Sequence, residues 1–236
     1  MSEQPYHILL VEDEQTLGLL LKENLKSKGY LVKLCKHGEE GWETFKTERF
    51  DLCILDVNMP KLNGFDLAKR IRERNNIVPI MFLTANSSQE DKIKGFEFGA
   101  DEYITKPFNL DELLARMKAI LKRTSYAEQP VAAPNEEFKI GTTLLQVTNH
   151  LLQVNGVEKH VSGTEAQLLK LFIQNKNSLI TRNSILLAVW GRDDYYTARN
   201  LDVYINKIRK LIKEDESIQL TNIHGSGFKL IESSVA

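Results

Sequence analysis

Residues 51–60 read DLCILDVNMP, four consecutive apolar residues ending on a carboxylate, Asp56. A short apolar run without polar alternation is the pattern of a strand covered on both faces, as in parallel sheets. Working outward, DLCIL (51–55) is the third of five such runs. HILLV (7–11) and Tyr30–Cys35 precede it, and PIMFL (79–83) and Glu102–Thr105 follow. Helical patterns separate them. Leu17, Leu20, Leu21 and Leu25 stripe Gln15–Leu25, and further helices are expected at Glu39–Phe45, Phe65–Arg74, Gln89–Phe98 and Leu110–Arg123. The alternation predicts an α/β, doubly wound five-stranded parallel sheet of order 2-1-3-4-5, which binds ligands beyond the carboxyl ends of its strands.

After residue 124 the rhythm changes. SYAEQPVAAPNEE (125–137) has two prolines and no hydrophobic period, so it reads as a linker between domains at 1–124 and 138–236. Short strands follow at Phe138–Ile140, Thr143–Val147, Leu151–Val154 and Glu158–Val161, with Asn155-Gly156 as a hairpin turn. Helices are then expected at Glu165–Gln174, Arg182–Trp190 and Thr197–Ile212. The chain closes with strands Ile218–Ile223 and Phe228–Ile231 around HGSG (224–227). A helix pair followed by a β-hairpin predicts a winged helix-turn-helix α+β domain.

The 236 residues are 42% hydrophobic and 27% charged, which excludes wholesale disorder. No apolar run approaches the ~20 residues of a membrane span, and the N-terminus lacks the pattern of a signal peptide. Cys35 and Cys53 fall in strand-like stretches and read as buried, reduced thiols. A cytoplasmic protein with no membrane partner is expected. The overall charge of −1 argues against a nucleic-acid binder, but residues 138–236 carry +3 while residues 1–124 carry −1. That asymmetry points weakly to a polyanion partner.

Glu12 and Asp13 follow the first strand and Asp56 the third, neighbours across the switch point of the predicted sheet. Carboxylates packed together raise each other's pKa unless a cation neutralises them. A hard divalent ion, Mg2+, suits the oxygen ligands and leaves positions for a phosphoryl group. Thr84 at the end of the fourth strand and Lys106 at the end of the fifth add a hydroxyl and an ammonium, and a cis Lys106–Pro107 bond would turn the lysine inward.

VEDE (11–14), LDVNMP (55–60), LTA (83–85) and GADEYITKPF (99–108) resemble the receiver domain of bacterial response regulators, over residues 6–124. The resemblance implies that Asp56 accepts a phosphoryl group from a histidine kinase. It implies that Asp13, Asp56 and the Asn58 carbonyl bind Mg2+, with Glu12 acting through water. Thr84 and Tyr103 would be the switch pair, drawn inward on phosphorylation, and Lys106 would contact the phosphoryl. In regulators similar to this one the last two helices and the last strand form a homodimer face, implying Lys92–Glu112, Glu102–Arg116 and Asp101–Arg123 pairs between copies. Glu102 is one methylene longer than the usual Asp. A dehalogenase-type phosphatase also uses a nucleophilic Asp, but needs a second Asp two residues on as general acid. Asn58 stands there and delivers no proton, so a slowly turning-over phospho-aspartate, a switch rather than an enzyme, is expected. Asn58 and Asn86 flank the phosphoryl and are expected to tune its loss.

At 100° per residue, Leu201, Ile205, Ile208 and Ile212 share the core face of the helix at Thr197–Ile212. Arg199, Val203, Asn206 and Lys210 share the opposite face, with Lys207 at its edge and Arg209 between the faces. Thr197 is the expected N-cap. The outward face offers phosphate-binding cations, an amide able to read adenine and a methyl group for thymine. SGTEAQLLKLF (162–172), TRNSILLAVWG (181–191), ARNLDVYINKIRKLI (198–212) and HGSGFKLI (224–231) resemble, in order, the OmpR/PhoB-type effector domain. The resemblance implies a recognition helix in the major groove of double-stranded DNA and a wing, with His224, in the adjacent minor groove. It also implies tandem binding to direct repeats and a loop at Trp190–Tyr196 facing RNA polymerase. Asn206 and His224 stand where arginines are common, predicting a shallower salt dependence.

Three readings compete: a phosphorylation-controlled transcription factor, a DNA-binding regulator active without phosphorylation, and a module whose output is a protein partner. The response of an Asp56→Asn variant separates the first two. Loss of output in Arg199→Ala plus Lys207→Ala excludes the third.

Overall fold

The computed structural model describes residues 5–75, 77–85, 100–124 and 136–233. The chain divides into two compact units, Met1–Leu121 and Lys122–Ala236. In the first, strands β1 (His7–Val11), β2 (Leu31–Cys35), β3 (Leu52–Asp56), β4 (Ile80–Thr84) and β5 (Glu102–Thr105) form one parallel sheet of order β2-β1-β3-β4-β5. This is the predicted architecture and strand order. The inner strands β1, β3 and β4 are buried nearly end to end, as their unbroken apolar runs require. Helices α1 (Gln15–Ser27), α2 (Gly38–Thr47), α3 (Gly64–Arg74) and α4 (Leu110–Thr124) complete the described elements of this unit. The helix expected at Gln89–Phe98 lies outside the described residues, as do Asn86 and Lys92.

The core on one side of the sheet joins Ile8, Leu10, Ile54 and Leu83 to Leu21 and Leu25 of α1 and Leu113, Met117 and Ile120 of α4. Each such side chain contributes about 1.5–3 kcal/mol on burial. Both cysteines are buried and unbridged.

The second unit starts with the antiparallel sheet β6 (Glu137–Ile140), β7 (Thr143–Gln146), β8 (Leu151–Val154) and β9 (Val157–His160). Glu137, expected to end the linker, instead opens β6 and pairs with Gln146. Helix α5 (Gly163–Gln174) begins with a capping box between Ser162 and Glu165. Next come β10 (Ile180–Thr181), α6 (Arg182–Trp190), α7 (Tyr195–Leu211), β11 (Ile218–Ile223) and β12 (Gly227–Glu232). β10 and β11 flank β12 in a second antiparallel sheet. Gly227 makes this possible: a Cβ there would lie 2.1 Å from the Ile180 carbonyl oxygen. The α6–α7 pair and the β11–β12 hairpin form a winged helix-turn-helix. Leu201, Ile205, Ile208 and Ile212 all face the core as the helical period predicts.

One cap differs from expectation. Thr197 is not the N-cap of α7 but lies in its first turn. The Asp194 carboxylate accepts from the Thr197 amide at 2.9 Å, and the Thr197 hydroxyl accepts from the Asp194 amide at 3.0 Å. This reciprocal pair is a capping box whose cap is Asp194.

Candidate functional site

Sheet register builds the acidic site. Val11 pairs with Leu55, Asp56 with Leu83, and Thr84 with Thr105. The residues following each strand therefore emerge side by side. Backbone bonds hold the exits: Glu12 donates to Cys35, Val57 to Leu83, and Lys106 to Thr84. Gly64 packs beneath, where a Cβ would stand 2.2 Å from the Asp56 carbonyl oxygen.

Carboxylate oxygens of Glu12, Asp13 and Asp56 lie within 4.8 Å of one another. Glu12 and Asp56 are buried, and Asp13 is exposed. The Lys106–Pro107 bond is cis. The Lys106 ammonium donates to both Glu12 oxygens at 2.8 Å and to Asp56 Oδ2 at 2.7 Å, and Asp56 Oδ1 accepts from the Asn58 amide at 3.0 Å. Burial raises the Glu12 carboxyl to about 7, against the downward pull of its bond to Lys106, and the Asp56 charge adds to the rise. Burial alone would lower the Lys106 pKa. Hydrogen bonds to Asp56 and Glu12 outweigh it and hold the ammonium above its ordinary value. One ammonium does not balance three carboxylates. Converging oxygen donors with a charge deficit fit a hard divalent cation such as Mg2+, the ion that receiver domains bind in this acidic pocket.

Thr84 and Tyr103 are buried on the adjoining strands, the Tyr103 ring 5.3 Å from Phe82, which in turn meets Phe65 edge-on at 5.1 Å. The acids expected on a dimer face are paired within the chain. Asp101, 3% exposed, accepts from Arg72 at 3.0 Å and from the Ile80 amide. Glu102, 5% exposed, pairs with Arg116 at 3.0 Å, and Arg116 also reaches Glu112 and the Tyr103 carbonyl. Arg72, missed in the sequence, is linked to Asp101 only by folding. The Arg123 side chain lies outside the described residues.

In the second unit Arg199, Asn206 and Lys210 are exposed on one side of α7, with Val203 and Lys207 partly so. Lys207 lies 4.8 Å from the Tyr204 ring. Arg209 differs from its expected place at the DNA surface: its Nε donates to the Leu220 carbonyl at 3.0 Å, bracing α7 against β11. His224 is exposed at the hairpin tip.

A parallel sheet ending in an acidic, lysine-bridged pocket and a winged helix with a basic outer face are the two halves of a two-component response regulator that regulates transcription. The chain belongs to the OmpR/PhoB-type response regulators. Residues 8–118 match the response regulator receiver domain and residues 156–230 the C-terminal domain of transcriptional regulatory proteins. It is 41% identical to the transcriptional regulatory protein RprY of Bacteroides fragilis over 229 residues, covering 97% of this chain and 96% of that protein. It is 36% identical to the alkaline phosphatase synthesis transcriptional regulatory protein PhoP of Bacillus subtilis, covering 95% and 96% of the two chains. The solved structure of DrrB, a Thermotoga maritima OmpR/PhoB homologue, matches with a TM-score of 0.50 at 28% identity, covering 98% of this chain and all of DrrB. Among the described residues no helix is long and apolar enough to cross a membrane.

Proposed function

We propose that Asp56 receives a phosphoryl group from a histidine kinase and that this promotes receiver dimerisation and binding to direct-repeat DNA. The observation that carries the reading is the Lys106 ammonium bridging Glu12 and Asp56 at 2.7–2.8 Å. In the transfer, an Asp56 oxygen bonds phosphorus as the bond to the kinase imidazole nitrogen breaks. Lys106 is placed to exchange its bond to Asp56 for one to a phosphoryl oxygen. Asp13, Asp56, the Asn58 carbonyl and, through water, Glu12 would hold Mg2+, which supplies charge neutralisation at the phosphoryl when bound. Asn58 offers no acid to hasten hydrolysis, which supports a switch rather than a turning-over enzyme.

Dimerisation through the β5–α4 face would exchange the cis bonds of Glu102 and Asp101 for bonds to Arg116 and Arg123 of a second copy, with Lys92 and Glu112 adding a third pair. On DNA, Arg199, Lys207 and Lys210 would meet phosphates, Asn206 and Val203 base edges, and His224 the minor groove. The segment Trp190–Tyr196 would face RNA polymerase. The setting of this activity is the cytoplasm.

One observation favours a second reading, constitutive DNA binding: Thr84 and Tyr103 are both buried, the inward placement that the switch would have to produce. Selection of genomic fragments by the purified protein, with and without Mg2+-beryllofluoride, tests both. A direct repeat spaced about one helical turn and enriched mainly with the mimic supports the switch. Equal recovery supports constitutive binding, and no enrichment refutes DNA recognition.

A further inference from the structure

Arg182 opens α6 and faces two other elements at once, α7 and β12. Its Nη2 donates to the Ala198 carbonyl at 3.1 Å, and its Nη1 pairs with Asp202 Oδ1 at 2.8 Å. Ala198 and Asp202 stand four residues apart, so the guanidinium grips one face of α7 across a single turn. The same group lies 5.4 Å from the ring of Phe228 on β12. The placement follows from register: Ile180, two residues before Arg182, pairs with Phe228. Phe228 is buried, whereas the side chains of Arg182 and Asp202 are 39% and 46% exposed.

An ion pair this exposed contributes little to folding stability. Its geometry is nonetheless specific, since the planar fork of one arginine takes a carbonyl and a carboxylate while its face covers an aromatic ring. Asp202 is an acid at the margin of the helix face that carries Arg199, Val203 and Asn206. Left unpaired there, it would leave the angle between α7 and the hairpin less restrained.

We propose that Arg182 is a positioning residue for DNA recognition. It fixes α7 through Ala198 and Asp202, and ties α7 to the wing through Phe228. Major-groove and minor-groove contacts are thereby made at one set separation. This rests on the DNA-binding reading above and adds a residue that touches neither base nor phosphate.

The test compares full-length wild type, Arg182→Gln, Arg182→Lys and Asp202→Asn. The probes are a 40-base-pair duplex carrying the selected repeat and a scrambled duplex of equal composition. Arg182→Gln is expected to lose affinity for the repeat by about tenfold, the scale of one lost specific contact, and none for the scrambled duplex. Hydroxyl-radical protection opposite the wing should fade while major-groove methylation protection persists. The salt slope should be unchanged, and Arg182→Lys should restore part of the loss. Should Arg182→Gln fail to fold, Asp202→Asn decides: weakened wing protection at an unchanged thermal midpoint supports the assignment, and a wild-type footprint overturns it. A slope shallower by about 0.9 with equal loss on both duplexes would instead make Arg182 a phosphate contact. Uniform fading of the footprint with a lowered thermal midpoint in Arg182→Gln and Arg182→Lys alike would make it a folding residue. Wild type binding neither duplex would refute the DNA-binding reading itself.

Discussion

Lys61 holds a backbone conformation that glycine adopts more cheaply, with φ at 68° in the loop between β3 and α3. The left-handed region costs a residue with a Cβ roughly 1–2 kcal/mol. Glycine relieves that strain but gives the unfolded chain extra freedom worth about 0.5–1 kcal/mol. Lys61→Gly is therefore expected to stabilise the first unit by up to about 1.5 kcal/mol, seen as a higher urea midpoint at unchanged m-value. Three residues on, the sign reverses. Gly64 has no room for a methyl group, because the Asp56 carbonyl oxygen and the Val57 Cα would stand 2.2 and 3.0 Å from it. Gly64→Ala must push the backbone that carries Asp56, at a cost of about 1–3 kcal/mol. It should also slow phosphorylation of Asp56 by a small-molecule donor. A wild-type midpoint and rate would show that the loop gives way freely.

At the scale of elements, Asp215 joins the β6–β7 turn to the start of β11. Its carboxylate accepts from the Thr142 amide at 2.9 Å, the Thr143 hydroxyl at 2.7 Å and the Ser217 amide at 3.1 Å. Burial pushes its pKa up, but the bonds from Ser217, Thr143 and Thr142 outweigh it and hold the acid below its ordinary value of 3.8. A depressed acid stabilises the fold above its unfolded pKa and loses that contribution as pH falls through the folded value. Asp215→Asn should thus flatten the stability profile of the second unit below pH 3.8, measured by thermal melting across acid buffers. His150 acts at higher pH. It is 2% exposed, and neither ring nitrogen has a hydrogen-bond partner. Burial, and secondarily the charge of His160, lower its pKa from 6.5. The folded ring stays neutral where the unfolded chain has taken a proton, so stability is full above pH 6.5 and falls as pH drops toward the folded pKa. His150→Asn, which tolerates the φ of 51° there, should remove that slope. Neither role is visible in the sequence, because both depend on what the sheets enclose. The strands and the acidic site were legible, since unbroken apolar runs ending at Glu12, Asp56 and Thr84, and a fifth short strand ending at Lys106, need only period and topology. The Asp194 cap was not, because Thr197 is itself a good capping residue and the two share one box. β10 was missed because two residues carry no period, and its pairing with β12 is purely tertiary. Asp101 reads as a surface acid until Arg72, 29 residues away in sequence, is folded against it.

For the whole molecule, the proposed function has the winged helix set how strongly each copy feels salt and the receiver set how many copies bind. Each phosphate neutralised lowers the slope of log affinity against log salt by about 0.9. With Arg209 turned to the Leu220 carbonyl, Arg199, Lys207 and Lys210 remain as cations on the outer face of α7. One copy on a single half-site should then show a slope of about −2.7 from that helix, against about −3.6 if Arg209 also reached DNA. If phosphorylation acts by pairing receivers, beryllofluoride should carry the slope on a direct repeat to about −5.4, with two copies per duplex by sedimentation. The slope per copy would stay fixed, because the effector surface itself is unaltered and the gain is bivalency. Fluorescence anisotropy over a salt series on half-site and full-site duplexes separates the possibilities. A slope that steepens with the mimic while one copy remains bound would place the control in the exposure of the DNA face rather than in the pairing of receivers.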